Sequence, residues 1–256
     1  MSHQISILSS RVHTGRFTDF VEQMVRSGLD RHSTYTCCVN VHMLIEAYRN
    51  GAFREVVNQA DWSTPDGKPV AMLMSKLGDQ PQERVAGMDL LPALLKEAEA
   101  KGARVYFYGD TEEVLIELQK KVHREFPHLA IAGAYSPPFR ELSEAEALEN
   151  LARIEQSGAH LLFVALGCPK QERWMAEQRG HIPATMLGIG NAFRAYLGHE
   201  KRAPRWMQKA ALEWVYRLVQ NPRRLWKRYL ITNSLFLWLV SRELITNLFQ
   251  PSHSNS

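Results

Sequence analysis

The chain has 256 residues, of which 45% are hydrophobic and 23% charged, the balance of a globular protein with a full hydrophobic core. Its three cysteines, Cys37, Cys38 and Cys168, are too few for a disulfide framework or a four-cysteine zinc site. The sequence shows no signal-peptide pattern at its start and no run of 18 or more apolar residues. We therefore expect a protein of the reducing cytoplasm with no membrane-spanning helix.

The net charge of +4 is unevenly distributed. Residues 201–256 carry ten Lys and Arg against Glu213 and Glu243, a charge of +8, whereas the rest of the chain carries −4. A basic tail on an acidic body indicates an anionic partner for the tail, such as a membrane, a nucleic acid or a phosphorylated substrate.

Short apolar runs alternate with helical patterns through most of the chain. The runs predict strands at 4–8, 34–41, 104–108, 130–133, 161–166 and 184–189. Helices are predicted at 17–25, 42–48, 88–101, from 111, at 143–156 and at 170–178, with Gly102 as a helix stop and Ser143 with Glu146 as a capping box. The alternation predicts an α/β fold with a mainly parallel, Rossmann-like sheet flanked by helices.

The pattern changes after residue 204, where basic and aromatic helical segments are predicted at 206–220 and from 223 to about 249, divided at Asn221-Pro222. Residues 230–249 include 12 apolar residues among 20, too polar a composition to span a membrane and too apolar for a free helix in water. We expect an α/β catalytic domain at 1–204 and a helical, basic, membrane-associating segment at 205–256.

Two loop motifs each allow two interpretations. Asp66-Gly67, between an apparent helix and a proline-bearing helix start, is an ordinary turn or a loop that holds a general base. Gly109-Asp110 closes a strand and opens a helix, where either a phosphate or a plain Asp N-cap fits. The chain has no G-x-G-x-x-G fingerprint, which argues against a dinucleotide-binding domain.

The segment at 167–172 is the most informative one. Gly167 ends a buried strand, Pro169 suits the first helical turn, and Lys170, Gln171 and Glu172 fall at the carboxyl edge of the sheet, where open α/β sheets bind ligands. A solvated helix start is the alternative, and Cys168 is interpreted as a structural thiol.

Arg217, Arg224 and Lys227 share a helix face if the helix continues through Pro222. A solvated basic face is the ordinary explanation, but the interleaved Trp and Tyr residues favour a membrane interface. The ten histidines have no ligand spacing, so no metal site is predicted.

Several segments, taken in order, resemble the WecG/TagA/CpsF glycosyltransferases (glycosyltransferase family 26). They are ADWSTPDG at 60–67, ERVAGMDL at 83–90, VYFYGD at 105–110, VALGCPKQE at 164–172, GIGNAFRAYLG at 188–198, RAPRW at 202–206 and LEWVYRL at 212–218. YSPPF at 135–139 is more similar to the exopolysaccharide branch than to the wall-teichoic-acid branch. The ordered set covers roughly residues 35 to 230 and is highly specific.

The resemblance implies an inverting transferase that moves a sugar from a nucleotide-sugar, expected to be a UDP-sugar, to a polyprenyl-diphosphate-linked acceptor at the inner face of the cell membrane. Asp66 would be the general base. The C-terminal segment would close over the site, with Arg217, Arg224 and Lys227 as a diphosphate clamp in place of a metal. No cofactor is implied. The expected substrate-binding residues are Asn40, Arg84, Gly109, Asp110, Gly167, Lys170, Gln171, Glu172, Gly190 and Arg194.

Two positions depart from the family pattern. Cys38 stands where a threonine is expected, and Arg194 stands where many members have an aspartate beside the glycines. The change at Arg194 leaves the base and the sugar of the donor undetermined. The alternatives are a sugar-nucleotide hydrolase or a non-catalytic, membrane-bound scaffold of a polysaccharide assembly. A nucleic-acid partner is not expected because the body is acidic, and homo-oligomerisation stays open.

Overall fold

The computed structural model describes residues 3–78, 80–201, 203–204, 206–207, 210–220 and 222–249, without the side chains of 224, 227–228 and 244–249. Its strands are β1 (Gln4–Ile7), β2 (Ser10–His13), β3 (Thr34–Val39), β4 (Trp62–Pro65), β5 (Val105–Gly109), β6 (Ile131–Tyr135), β7 (Leu161–Ala165) and β8 (Thr185–Gly188). Strands β1 and β2 form an antiparallel hairpin, and the other six form a parallel sheet of order β4-β3-β8-β7-β5-β6. The predicted α/β class is confirmed.

The helices are α1 (Phe17–Leu29), α2 (Val41–Arg49), α3 (Gly51–Asn58), α4 (Lys68–Leu77), α5 (Gly87–Lys101), α6 (Glu112–Glu125), α7 (Glu144–Ser157), α8 (Lys170–Gln178), α9 (Ala192–Leu197), α10 (Glu213–Gln220) and α11 (Pro222–Phe249). Two predicted helix ends are confirmed. The capping box of Ser143 and Glu146 opens α7, and α5 stops at Gly102, whose φ of 68° is left-handed.

The strands β2 and β4 have no counterpart in the predictions. The hairpin turn before β2 consists of Leu8 and Ser9, whose φ angles are 49° and 69°. Hairpin turns of this kind usually carry Asn-Gly or Asp-Gly, so the sequence carries no such turn signal here. Strand β4 is a four-residue edge strand that ends at Pro65, where the lost N–H is tolerated. Asp66 therefore follows a strand directly, and not a helix as the sequence suggested.

Hydrophobic residues pack on both faces of the sheet. Phe107, Phe163 and Leu187 face one layer of helices, and Tyr108, Leu162 and Met186 belong to the cluster on the opposite face. All six side chains are fully or almost fully buried. A sheet covered on both faces explains the continuous apolar runs in the sequence.

The C-terminal segment is helical as predicted, but the prediction of one helix over 206–220 is wrong. Ala211 adopts a left-handed φ of 59°, and α10 begins only at Glu213. Phe236 and Leu239 of α11 are buried in the cluster that also holds Met43 and Leu44 of α2. No helix among the described residues is long and apolar enough to cross a membrane. The division at residue 204 into two domains stays a prediction.

Gly109 permits a close contact at the end of β5. Its φ is +107°, and a Cβ there would lie 2.6 Å from the carbonyl oxygen of Ala165. We expect Gly109→Ala to lower the free energy of unfolding by at least about 1–3 kcal/mol, through backbone strain alone. Chemical denaturation measures the change.

Gly102→Ala is the matched control, because Gly102 also has positive φ but no atom within 4 Å of the added Cβ. It should cost less than Gly109→Ala. An equal loss in the two variants would contradict the role of the Ala165 contact.

Candidate active site

All six strands of the parallel sheet end at the same edge, and four of them are followed by an expected site residue that lines a cavity there. Asn40 follows β3, Asp66 follows β4, Gly167 follows β7 and Gly190 follows β8. Two adjoining cavities open at this edge. All four residues line at least one of them, and Asn40 and Asp66 line both. The topology thus brings together motifs that are far apart in the chain.

The first of the two cavities, which we call the sheet-edge cavity, has a volume of about 230 Å³. Its floor is formed by the ends of β7 and β8, with Gly167, Gln171, Gly188 and Gly190. The second, the helix cavity, has a volume of about 240 Å³ and lies among the start of α2, the Asp66-Gly67 turn with the start of α4, and the helices α10 and α11. Arg217 and Tyr229 line both cavities.

Asp66 is half-buried where the cavities meet, and its backbone N–H donates to the carbonyl oxygen of Val39 at 2.9 Å. Desolvation raises the pKa of the Asp66 carboxyl to about 6; Arg217 and Arg84 oppose the rise, and Glu213 adds to it. A carboxylate with this pKa is ionised at neutral pH and more basic than an ordinary aspartate. Asp66 is therefore equipped to accept a proton.

Asn40 is fixed by the helix that it caps. Its Oδ1 accepts a hydrogen bond from the backbone N–H of Met43 at 3.1 Å, which is the N-cap contact of α2. Cys38, which stands where the family pattern has a threonine, also lines the sheet-edge cavity. Burial raises the pKa of its thiol. A neutral, buried thiol fills space beside the site and is no nucleophile.

Gln171 joins the two glycine turns. Its Oε1 accepts from the backbone N–H of Gly167 at 3.1 Å and of Gly190 at 3.2 Å, while its Nε2 donates to Glu172 Oε1 at 2.7 Å. Both side chains are buried. Desolvation raises the pKa of the Glu172 carboxyl to about 7. The pair is thus a fixed part of the cavity floor, which the solvated-helix interpretation does not explain.

Two further expected residues pair with each other. Arg194 donates to Asp110 through a fork, with the shortest contact at 2.6 Å, and neither residue lines the two cavities. The N-cap of α6 is Thr111, so the alternative of a plain Asp110 cap is wrong. Gly109 fixes this turn against β7. The pair lies at the carboxyl end of β5, beside the sheet-edge cavity but outside it.

Lys170 and Arg84 also lie outside the cavity walls. Lys170 is exposed at the start of α8. Arg84 instead forms ion pairs with Asp89 and Glu213, at 2.5 Å and 3.1 Å. Their roles in substrate binding stay predictions.

Of the three residues predicted as a diphosphate clamp, Arg217 is placed at both cavities. The side chains of Arg224 and Lys227 lie outside the described part of the chain. Glu213 and Tyr229 also line the cavities, although the motifs did not predict either residue at the site. The available signal for Glu213 was its four-residue spacing from Arg217 on one helix.

Within the described residues, no group of three or more His, Cys, Asp or Glu side chains could hold a metal ion. Among the side chains that the structure describes, Arg217 and Lys68 bring positive charge to the two cavities. Such cations can stabilise a phosphate group without a metal.

Two adjoining cavities with one carboxylate between them suit a group transfer between two bound molecules, and the class of protein that this arrangement fits is a glycosyltransferase. The sequence comparisons agree. The chain belongs to the glycosyl transferase WecG/TagA/CpsF family, whose family model matches residues 5–250.

Two relatives carry the same name, N-acetylglucosaminyldiphosphoundecaprenol N-acetyl-beta-D-mannosaminyltransferase. The protein from Bacillus spizizenii is 36% identical over 218 residues, which cover 83% of this chain and 81% of the relative. The protein from Bacillus subtilis is 30% identical over 251 residues, which cover 97% of this chain and 94% of the relative. The family expected from the motifs is confirmed.

Proposed function

We propose that this chain is an inverting transferase that moves a sugar from a UDP-sugar to a sugar carried on a polyprenyl diphosphate, in the synthesis of a bacterial surface polysaccharide or exopolysaccharide. One observation carries the proposal: the carboxyl-bearing Asp66 lines both cavities. The names of the two relatives support the acceptor class and make N-acetylmannosamine the first donor sugar to test.

The donor is assigned to the sheet-edge cavity. The glycine turns at Gly167 and Gly190 leave room for a close approach of the nucleotide diphosphate to the backbone. Arg217 at the cavity wall stabilises the negative charge that grows on the diphosphate as the glycosidic bond breaks.

The acceptor is assigned to the helix cavity. Lys68 and the N-terminal ends of α2 and α4 offer positive charge to its diphosphate, and Trp214, Phe236 and Leu237 form an apolar wall for the first part of the lipid.

The chemical step joins the two cavities through Asp66. The Asp66 carboxylate takes the proton of the acceptor hydroxyl, and the oxygen attacks the anomeric carbon on the face opposite the diphosphate. The new carbon–oxygen bond forms as the bond to the nucleotide diphosphate breaks, and UDP leaves with the bonding electron pair. The anomeric configuration is inverted because one displacement occurs.

A lipid-linked acceptor requires the protein to work at a membrane surface, and we assign α11 to this contact at the inner face of the cell membrane. Trp226, Leu230, Leu237 and Trp238 are all more than half exposed on α11, although Phe236 and Leu239 of the same helix are buried. Amphipathic aromatic residues next to Arg and Lys are typical of helices that lie in the headgroup region.

We expect the intact protein to sediment with anionic liposomes and to be released only in part by high salt, because apolar burial adds to charge attraction. Replacing Trp226 and Trp238 by serine should weaken partitioning by at least about tenfold. Leu148→Ser is the control, since Leu148 is 66% exposed on α7, away from α11. Equal binding by the three proteins would remove α11 from the membrane contact.

A donor screen tests the proposed reaction. Purified protein receives a panel of UDP- and GDP-sugars with a polyprenyl-diphosphate-linked N-acetylglucosamine, and mass spectrometry follows the lipid product. A mass gain of one sugar supports the proposal. Faster breakdown of the donor without acceptor would indicate a hydrolase, and binding without turnover would indicate a scaffold.

A further inference from the structure

Arg84 was expected to line the substrate pocket, but its side chain lies outside the cavity walls and contacts two carboxylates. Its side chain is only 18% exposed and is held between two carboxylates, Asp89 of α5 and Glu213 of α10. Residues 84 and 213 are 129 positions apart in the sequence. This contact connects the body of the protein with the helix that covers the cavities.

Glu213 uses its second carboxylate oxygen within its own helix. Oε2 accepts from Arg84, and Oε1 accepts from Arg217 at 2.9 Å. Arg217 also approaches the sulfur of Met88 at 3.8 Å and lines both cavities with Asp66. Asp89, Arg84, Glu213 and Arg217 therefore form one row of alternating charges that leads from α5 to the site.

The helix α10 is held mainly by polar contacts at its surface, which besides the Arg84 ion pair include the approach of Arg217 to Met88 and a hydrogen bond from Gln220 Nε2 to the Lys201 carbonyl oxygen at 3.2 Å. None of its eight residues is buried, so it lacks the apolar anchor that Phe236 and Leu239 give to α11. Trp214 meets Tyr229 of α11 edge-on, with 6.1 Å between ring centres. This contact joins α10 to α11, whereas the Arg84–Glu213 ion pair joins the first turn of α10 to the body and is a charged contact between them. Ion pairs of partly buried, forked arginines are stronger than fully exposed ones.

We propose that Arg84 and Glu213 are positioning residues: Arg84, oriented by Asp89, holds Glu213, and Glu213 holds α10 and the Arg217 guanidinium next to Asp66. The proposal rests on the proposed function for its effect on transfer, but its structural part does not. Arg84 thus acts on the reaction through Glu213 and Arg217, without touching either substrate.

A double-mutant cycle tests this assignment. Arg84→Met, Glu213→Gln and the double variant are compared with the parent by hydrogen exchange of residues 213–220 in the absence of substrate. Each single variant should raise the exchange rate of these residues by about three- to tenfold. The double variant should raise it only slightly more than the stronger single variant does, because both changes break the same contact. Glu149→Gln, which removes an exposed ion pair with Arg153 on α7, is the matched control and should leave α10 unchanged.

Kinetics distinguish positioning from substrate contact. Both single variants should lower kcat by about the same factor, on the order of tenfold, and the double variant should be no slower than the slower single one. If the two factors multiply, or if Arg84→Met changes KM for a substrate without changing exchange of α10, Arg84 binds substrate itself and the proposal is overturned.

Two further outcomes keep the test decisive. If Arg84→Met fails to fold, Arg84→Lys serves instead: its compact ammonium cannot reproduce the fork, and a partial rise in exchange of α10 is expected. An unchanged exchange in Arg84→Lys and Glu213→Gln contradicts the proposal. If exchange rises as expected but neither parent nor variants transfer sugar, the proposed function fails while the positioning of α10 stands.

Discussion

Replacing Asp66 by asparagine is expected to lower the rate of sugar transfer by about 10²–10⁴-fold, the range for loss of a general base. Asparagine keeps the size of the side chain and its hydrogen-bonding oxygen, so thermal unfolding should be almost unchanged. A quenched-flow or endpoint assay with lipid-linked acceptor measures the loss. Transfer at the parent rate in a folded Asp66→Asn protein would show that another group accepts the proton.

The pH dependence of the parent gives a second test of the same residue. Because burial raises the pKa of the Asp66 carboxyl to about 6, the carboxyl keeps its proton to higher pH than an ordinary aspartate does. The fraction of active base therefore rises as pH rises through about 6, and kcat/KM should fall with falling pH below that point.

Glu172 is the necessary control for this limb, because desolvation raises its pKa to about 7. In Glu172→Gln the amide oxygen can still accept from Gln171, so the floor of the sheet-edge cavity should persist. The acid limb should remain near pH 6 in this variant. If the limb disappears in Glu172→Gln, the titrating group is Glu172 and the pH argument for Asp66 is lost.

The part of the site that the sequence predicted follows from the geometry of parallel strands. Asp66, Gly167 and Gly190 were recognised next to a strand end or in a family motif, and Asn40 was expected from the family resemblance alone. Parallel strands place their carboxyl ends at one edge, which brings the four residues together. Gln171 was placed at the same edge, and the structure adds the two glycine N–H groups that it binds.

The part that the sequence could not predict depends on contacts between distant elements. The pairing of Asp110 with Arg194 joins residues 84 positions apart, and that of Arg84 with Glu213 joins residues still farther apart. No local pattern encodes either contact. Burial of Asp66 and Glu172 was likewise invisible, because the pKa of a carboxyl depends on which elements fold over it.

The helix α10 illustrates the same limit in the backbone. Its apolar and basic pattern suggested a helix from 206, whereas the left-handed Ala211 delays the start to Glu213. This break places Glu213 in the first turn of α10, where a carboxylate is favourable, and directs it towards Arg84. A small local departure therefore sets the position of a residue at the site.

The second large effect is expected at Arg217. Replacing it by glutamine should lower kcat by about 10²–10³-fold, the cost of losing one charged group that stabilises a developing oxyanion. Arg223→Gln is the matched control, because it removes the same charge from the exposed start of α11. In detergent with a soluble acceptor, where membrane attraction has no influence, Arg223→Gln should retain the parent rate. An equal loss in both variants would indicate a general charge effect.

The role of Arg217 also predicts the response to chelators. If guanidinium charge neutralises the leaving diphosphate, EDTA should leave transfer by the parent nearly unchanged, and Mg²⁺ or Mn²⁺ should not rescue Arg217→Gln. Arg217→Lys should recover only part of the rate, because an ammonium keeps the charge but cannot hold Glu213 and a phosphate oxygen with one planar fork. Loss of parent activity in EDTA, restored by a divalent cation, would assign the diphosphate to a metal and leave Arg217 with its contact to Glu213.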